Sequence, residues 1–192
     1  DPRIEPLLDR YPALRAVGST PLVPVNIFRD ELPDVEVLAK MESLNPGGSL
    51  KDRPVLRMLL GALADGRLRP GMTVLDSSSG NAGIAYAMIG RIVGLPVEIV
   101  IPDNASAERT KRMRAHGARL IFTDAMLGYD EALREVRRRY ETDPARYFFC
   151  DQYSNEDNWR AHYETTAAEI LEQTAGRITH VVAGVGTGGT VT

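Results

Sequence analysis

Apolar residues fall in short runs separated by longer stretches with helical spacing, and the two alternate along most of the chain. Residues 35–41 are rich in valine and bounded by Pro33 and by Asn45-Pro-Gly-Gly48, which predicts a strand. Val55, Leu56, Leu59, Leu60 and Leu63 then share one helical face, and Asp65-Gly66 ends the pattern. The same reading predicts strands over 73–75, 97–101, 120–122, 147–149 and 179–183. It predicts further helices over 82–93, 107–116, 129–140 and 158–174. Ser106 stands where the 107–116 helix needs an N-cap, and Gly117 where that helix must stop. Leu133 and Val136 are the expected inward positions of the 129–140 helix.

Strands that alternate with helices need crossover connections, which give parallel pairing with helices on both faces of the sheet. The strand runs are near-continuously apolar rather than alternating, as strands covered on both faces should be. The predicted class is therefore α/β with parallel sheets. The polar stretch 151–157 joins two such blocks and is a candidate boundary. Ligands in sheets of this kind sit beyond the carboxyl ends of the strands, so the loops after strands are the ones to question.

Three of those loops are built from glycine and hydroxyl or amide residues. The last is Gly184-Val-Gly-Thr-Gly-Gly-Thr190. Its glycines allow backbone N–H groups to close on an anion, and Thr187 and Thr190 add hydroxyl donors. Gly184, Gly186 and Gly189 also fit a G-x-G-x-x-G pattern, but the helix and acidic residue that give that pattern meaning do not follow. The second loop is Ser77-Ser-Ser-Gly-Asn81-Ala-Gly83. Serine and asparagine before a helix are common caps, yet four of them exceed what one cap uses, and the surplus side chains with the loop N–H groups suit a carboxylate and a ring oxygen. The first is Asn45-Pro-Gly-Gly-Ser-Leu-Lys51-Asp-Arg53. A Lys-Asp-Arg triplet is most often solvated surface. Here, however, it follows a Gly-Gly-Ser turn at the end of a strand.

Composition sharpens that last point. Of 23 basic residues only Lys40, Lys51 and Lys111 are lysine, so each raises the question whether arginine would serve. An amine forms a Schiff base with an aldehyde and a guanidinium does not, which is a reason for lysine at position 51. The net charge of −3 argues against a strongly basic nucleic-acid binder. The arginines at 109, 112, 114 and 137–139 are interleaved with Glu108, Glu135 and Glu141 and read as solvated helix faces. One cysteine, Cys150, excludes a disulfide framework and reads as a small buried apolar group. His116, His162 and His180 lack zinc spacing, so no metal site is expected; His162 and His180 read as structural, the latter inside a strand. No apolar run approaches the ~20 residues of a membrane helix, and no signal segment opens the chain, which begins at Asp1. Together with the lack of disulfides this points to the cytoplasm.

A phosphate cradle, a Schiff-base lysine and a carboxylate-gripping loop together point to pyridoxal phosphate. Asn45-Pro-Gly-Gly-Ser-Leu-Lys-Asp-Arg53, Ser79-Gly-Asn-Ala-Gly83 and Gly186-Thr-Gly-Gly-Thr190 stand in the order found in the cysteine synthase and cystathionine β-synthase family of fold-type II pyridoxal phosphate enzymes, which the chain resembles. Gly18-Ser-Thr-Pro-Leu-Val23, Asp151-Gln-Tyr-Ser-Asn155 and Ala161-His-Tyr-Glu-Thr-Thr166 also resemble family segments, so the similarity runs from about residue 17 to the end.

The resemblance implies that Lys51 is the Schiff-base lysine and the base that removes the substrate α-proton. It implies that Asn81 bonds the cofactor's ring oxygen, and that Gly186, Thr187, Gly188, Gly189 and Thr190 bind its phosphate. Ser78, Ser79, Gly80, Asn81 and Ala82 would grip the substrate carboxylate with help from Gln152. Ala82 stands where the family has threonine, which removes a hydroxyl near that carboxylate. The implied reaction is β-replacement through an aminoacrylate, making L-cysteine from O-acetylserine and sulfide. A cystathionine β-synthase using serine and homocysteine, or a phosphoserine-using relative, is the neighbouring alternative. A phosphate- or nucleotide-binding module without covalent chemistry is the alternative of another class. The implied partners are an amino acid and a sulfur nucleophile, with no nucleic acid or membrane, in a homodimer. The implied organisation has 1–44 joining the larger domain, 45–150 as the smaller α/β domain with Lys51, and 151–192 beginning the larger domain. The rest of that larger domain, including the group that contacts the pyridine nitrogen, would lie beyond Thr192.

Overall fold

The computed structural model describes residues 1–27 and 29–192. The chain opens with helix α1 (Glu5–Arg10) and two short strands, β1 (Leu22–Pro24) and β2 (Leu38–Lys40). Helix α2 (Asp52–Ala64), strand β3 (Thr73–Ser77), helix α3 (Asn81–Val93) and strand β4 (Val97–Pro102) follow. Then come α4 (Ala107–Ala115), β5 (Arg119–Thr123), α5 (Gly128–Thr142) and β6 (Tyr147–Phe149). A last helical run consists of α6 (Asp157–Ala161), a π turn (His162–Ala167) and α7 (Ala168–Gln173).

Strands β3 to β6 form one parallel sheet in the order β5-β4-β3-β6. The two central strands, β3 and β4, are buried along their whole length. Their alternate side chains feed two separate cores. Val74, Ile99 and Ile101 pack with Leu59, Ile84 and Ile89 of α2 and α3, while Leu75 and Val100 pack with Ala132 and Val136 of α5. Each fully buried aliphatic side chain contributes about 1.5–3 kcal/mol. The central strands therefore hold the frame on which the loops at their carboxyl ends are mounted.

The predicted helices are present, and four of the six predicted strands form the parallel sheet, with boundaries shifted by a few residues. Four local expectations are corrected. The 35–41 strand shortens to β2 and pairs antiparallel with β1, apart from the parallel sheet. Ser106 occupies the N-cap position of α4, but its side chain makes no capping bond. In α5 the fully buried positions are Ala132 and Val136, with Leu133 only half-buried. No strand forms over 179–183: Val181 and Val182 are 70% and 97% exposed, and His180 is exposed instead of sitting in a core. A strand exists by pairing its backbone with a neighbour, and among the described residues no strand lies beside this segment. The predicted 158–174 helix forms, but the π turn interrupts it. Such turns carry one extra residue per turn and re-aim the side chains around them.

Candidate functional site

Parallel pairing of β3 with β6 sets Leu75 opposite Phe149, so the chain leaves both strands at the same edge. The segment after β6 therefore meets the loop after β3. Gln152 is buried there: its Nε2 donates to the Ser77 carbonyl at 3.1 Å and its backbone N–H to Asp76 Oδ2 at 3.4 Å. Ser78 Oγ accepts from the N–H groups of Gly80 and Gly83 at 3.3 and 3.0 Å, capping the start of α3. The capping expectation thus holds for Ser78, whose own hydroxyl proton remains free to donate. Ala82 is buried behind it, and Asn81 opens α3 on the exposed side. A cleft of about 360 Å³ opens next to Ser79, lined among others by Ser106, Arg109 and Tyr129. Tyr129 closes it on the sheet side by donating to the Ser77 carbonyl at 2.9 Å.

Beneath the first loop, Asp52 and Arg53 are 0% and 3% exposed, so the Lys-Asp-Arg triplet is not solvated surface. The Gly47 N–H donates to Asp52, while Arg112 donates to the Gly47 carbonyl at 2.9 Å. Burial raises the Asp52 carboxyl to about 6, against the bond from Gly47 and the charge of Arg112. Arg112 therefore braces this loop from α4 and is not the solvated residue expected. Arg53 reaches back to Glu42 at 2.7 Å and to Glu169 at 2.6 Å. Lys40 Nζ joins the same cluster through Glu169 at 2.6 Å, the Thr20 carbonyl at 2.6 Å and Gln173 Oε1 at 2.9 Å. Burial opposes ionisation of Glu169, but bonds from Arg53, Lys40 and the Ser19 N–H outweigh it and hold the carboxyl at about 2.

Lys51 sits at the N-cap of α2, half-buried. Burial alone lowers its pKa, with no carboxylate acting to hold the proton on its amine. That is the environment a nucleophilic amine needs. Its charge bears on His162, which is buried in the π turn. Burial first, and then the charges of Lys51 and Arg53, push His162 down to about 4, so the ring is neutral.

His162 also touches the third loop, its Nε2 lying 3.5 Å from Thr190 Oγ1. Asn158, in the first turn of α6, donates to Thr187 Oγ1 at 2.9 Å and to the Gln152 carbonyl at 2.6 Å. Gly188 has φ +87°, a conformation that favours glycine. Gly189 lies against Asn158 so closely that a Cβ would run into its amide. Gly186 is exposed at the mouth of the turn. The structure thus brings the 186–190 loop onto His162, on whose ring the Lys51 charge also bears, and ties the Gln152 segment to the Ser77–Ser78 corner. It gives Asn81 no side-chain partner among the described residues. Sequence reasoning gives Asn158 no role, takes Arg112 for solvated surface and sees Arg53 only as part of the first loop, without its cluster. Asn158 reads there as an ordinary helix-start residue.

These residues fit a phosphorylated aldehyde. Gly188 takes a backbone conformation that favours glycine, Gly189 passes the Asn158 amide too closely for a side chain, two threonine hydroxyls flank the turn, and a half-buried amine bears on the histidine that touches it. Among the described residues no group of His, Cys, Asp and Glu side chains could hold a metal ion. No described helix is long and apolar enough to cross a membrane.

Comparison with known proteins agrees with this chemistry. The family model described as "Pyridoxal-phosphate dependent enzyme" matches residues 13–192. A cysteine synthase of Aquifex aeolicus is 50% identical over 184 residues, covering 95% of this chain and 56% of its own length. A cystathionine β-synthase of Apis mellifera is 41% identical, covering 93% of this chain and 36% of its own. The crystal structure of a cysteine synthase from Entamoeba histolytica superposes with a TM-score of 0.87 at 41% identity, over 93% of this chain and 54% of that one. The chain therefore spans little more than half the length of the cysteine synthases it matches.

Proposed function

The chain belongs to the pyridoxal-phosphate dependent enzymes, and on that footing we propose that it carries the catalytic lysine and the phosphate and substrate loops of an enzyme making L-cysteine from O-acetylserine and sulfide. When bound, pyridoxal phosphate supplies an aldehyde that condenses with amines and a ring that draws electron density from a carbanion. The chain's residues do the rest. The N–H groups of residues 186–190 and the hydroxyls of Thr187 and Thr190 hold the phosphate. Asn81 bonds the ring oxygen. Lys51 supplies the amine that anchors the aldehyde, and later takes the α-proton of the substrate at its Nζ. Low proton affinity suits both tasks, because the amine must be uncharged to attack and to accept a proton. The loop of Ser78, Ser79, Gly80, Asn81 and Ala82 holds the substrate carboxylate, and Gln152 steadies that loop from below. We place residues 45–150 in the smaller, loop-bearing domain, residues 151–192 at the start of a larger one, and 1–44 alongside the latter.

The observation that carries this reading is the placement of Lys51: a half-buried amine at the N-cap of α2, with no acidic partner among the described residues, whose charge bears on the histidine that contacts the phosphate loop. The test is borohydride reduction of the protein loaded with pyridoxal phosphate, followed by peptide mapping, with cysteine formation measured in parallel. The label is expected on Lys51, and Lys51→Ala is expected to lose the label and at least about a hundredfold in turnover. A label on another lysine, or none, overturns the assignment. Serine with homocysteine and O-phosphoserine with sulfide, run beside O-acetylserine, decide among the neighbouring reactions. The cystathionine β-synthase relative is the finding that keeps homocysteine among them.

A further inference from the structure

We propose that Asn158 is a positioning residue that couples the phosphate loop to the substrate-carboxylate segment, so that filling either site strengthens the other. The inference rests on the functional reading above and deepens it.

The geometry is a continuous path. The two N–H groups of one side-chain amide are spent on two different segments: Thr187 Oγ1 in the phosphate loop at 2.9 Å and the Gln152 carbonyl at 2.6 Å. Gln152 passes the connection on, its own amide holding the Ser77 carbonyl at 3.1 Å. Ser77 is followed directly by Ser78, whose hydroxyl caps α3 at the Gly83 N–H, 3.0 Å away. The path thus runs from Thr187 to the loop proposed to grip the substrate. Asn158 is 5% exposed, so neither bond competes freely with water.

The residue type fits the task. Among side chains of this length only the primary amide offers two N–H donors from one atom; aspartate offers none and serine at most one. Its other end is the second observation. Asn158 Oδ1 is buried and has no hydrogen-bond partner among the described residues. It faces Gly189, where the loop backbone passes too close for a side chain. An unmet buried acceptor is unfavourable. The phosphate loop therefore lies directly against the amide that holds Gln152 and is bonded to it through Thr187, so a rearrangement of the loop around a phosphate is transmitted through that amide. Coupling of this kind is reciprocal: a phosphate that strengthens carboxylate binding is strengthened by it equally.

The test is a double-mutant cycle on the intact protein loaded with pyridoxal phosphate, using N158A, T187V and the double variant. The readout is the dissociation constant of L-serine, followed by the change in cofactor absorbance, with thermal melts to confirm folding. T187V lies in the phosphate loop, yet it is expected to weaken L-serine binding by roughly threefold to tenfold, the worth of one or two hydrogen bonds. In the N158A background the same change is expected to have no further effect. Should N158A not fold, the isosteric N158D carries the cycle, since it removes both donors while keeping the shape. Equal effects of T187V in both backgrounds, or none in either, overturn the coupling alone. A wild-type protein that takes up no pyridoxal phosphate overturns the functional reading and the coupling together.

Discussion

Asp76 is a carboxylic acid at the carboxyl end of β3, 2% exposed and enclosed by donors from three directions. Tyr86 O–H reaches it at 2.6 Å, the Ser77 N–H at 2.8 Å and the Gln152 N–H at 3.4 Å. Burial pushes its pKa up, the three donors recover only part of the loss, and the group stands at about 7 against an ordinary 3.8. The folded chain therefore prefers Asp76 protonated. Its contribution to stability is present in full below about pH 4, is lost as pH rises to about 7, and is constant above that. At about 1.4 kcal/mol for each tenfold in proton affinity, the loss across this window is about 4 kcal/mol. Asp76→Asn keeps the shape and cannot ionise. Urea unfolding of both proteins from pH 4 to pH 8 isolates the residue, because every other titrating group cancels in the difference. The stability difference is expected to move by about 4 kcal/mol in favour of the variant as pH rises, with the denaturant slope unchanged. A difference that stays constant within about 1 kcal/mol over that range refutes the argument, since no buried charge would then be forming.

Arg53→Met leaves Glu42 and Glu169 with Lys40 as the remaining cation of their cluster; breaking a buried pair costs about 3–5 kcal/mol, a fall in melting temperature of roughly 6–20 °C. A fall under about 2 °C would show that the cluster is not a structural lock. Glu169 is held at about 2 instead of 4.5, so its contribution is present above pH 4.5 and lost as pH falls toward 2. Circular dichroism of E169Q during acid titration should show a shallower loss over that interval, and curves that superpose reject the ion-pair assignment. Gly189→Ala forces a Cβ into the Asn158 amide, which should cost about 1–3 kcal/mol and weaken uptake of pyridoxal phosphate. Wild-type affinity and stability in that variant would mean that the cradle is looser than described.

What sequence made legible here was local, and what it missed was held together across distance. The parallel sheet could be read because β3 and β4 carry short apolar runs and the helix after each is followed by a glycine, Gly94 and Gly117. The phosphate and serine loops could be read because their chemistry lies in consecutive residues. Their supports come from elsewhere: Arg112 braces Gly47 across 65 positions, and Asn158 holds Thr187 across 29. The 179–183 segment failed for a related reason, since an apolar run predicts a strand without saying what it pairs with. The lysines make the same division within one residue type. Lys51 could be justified from sequence, because its reason is covalent chemistry carried by the residue itself. Lys40 could not, because its reason is a meeting: one compact ammonium with three donors, facing acceptors from Thr20, Glu169 and Gln173. A planar guanidinium suits a carboxylate edge, as Arg53 shows in the same cluster, but three acceptors converging on one atom suit lysine. Lys111 is exposed on α4, and nothing in the structure requires it to be lysine. The shortage of lysine therefore marks one residue for what it does to an aldehyde and another for where the Thr20 turn and α7 bring three acceptors to one point.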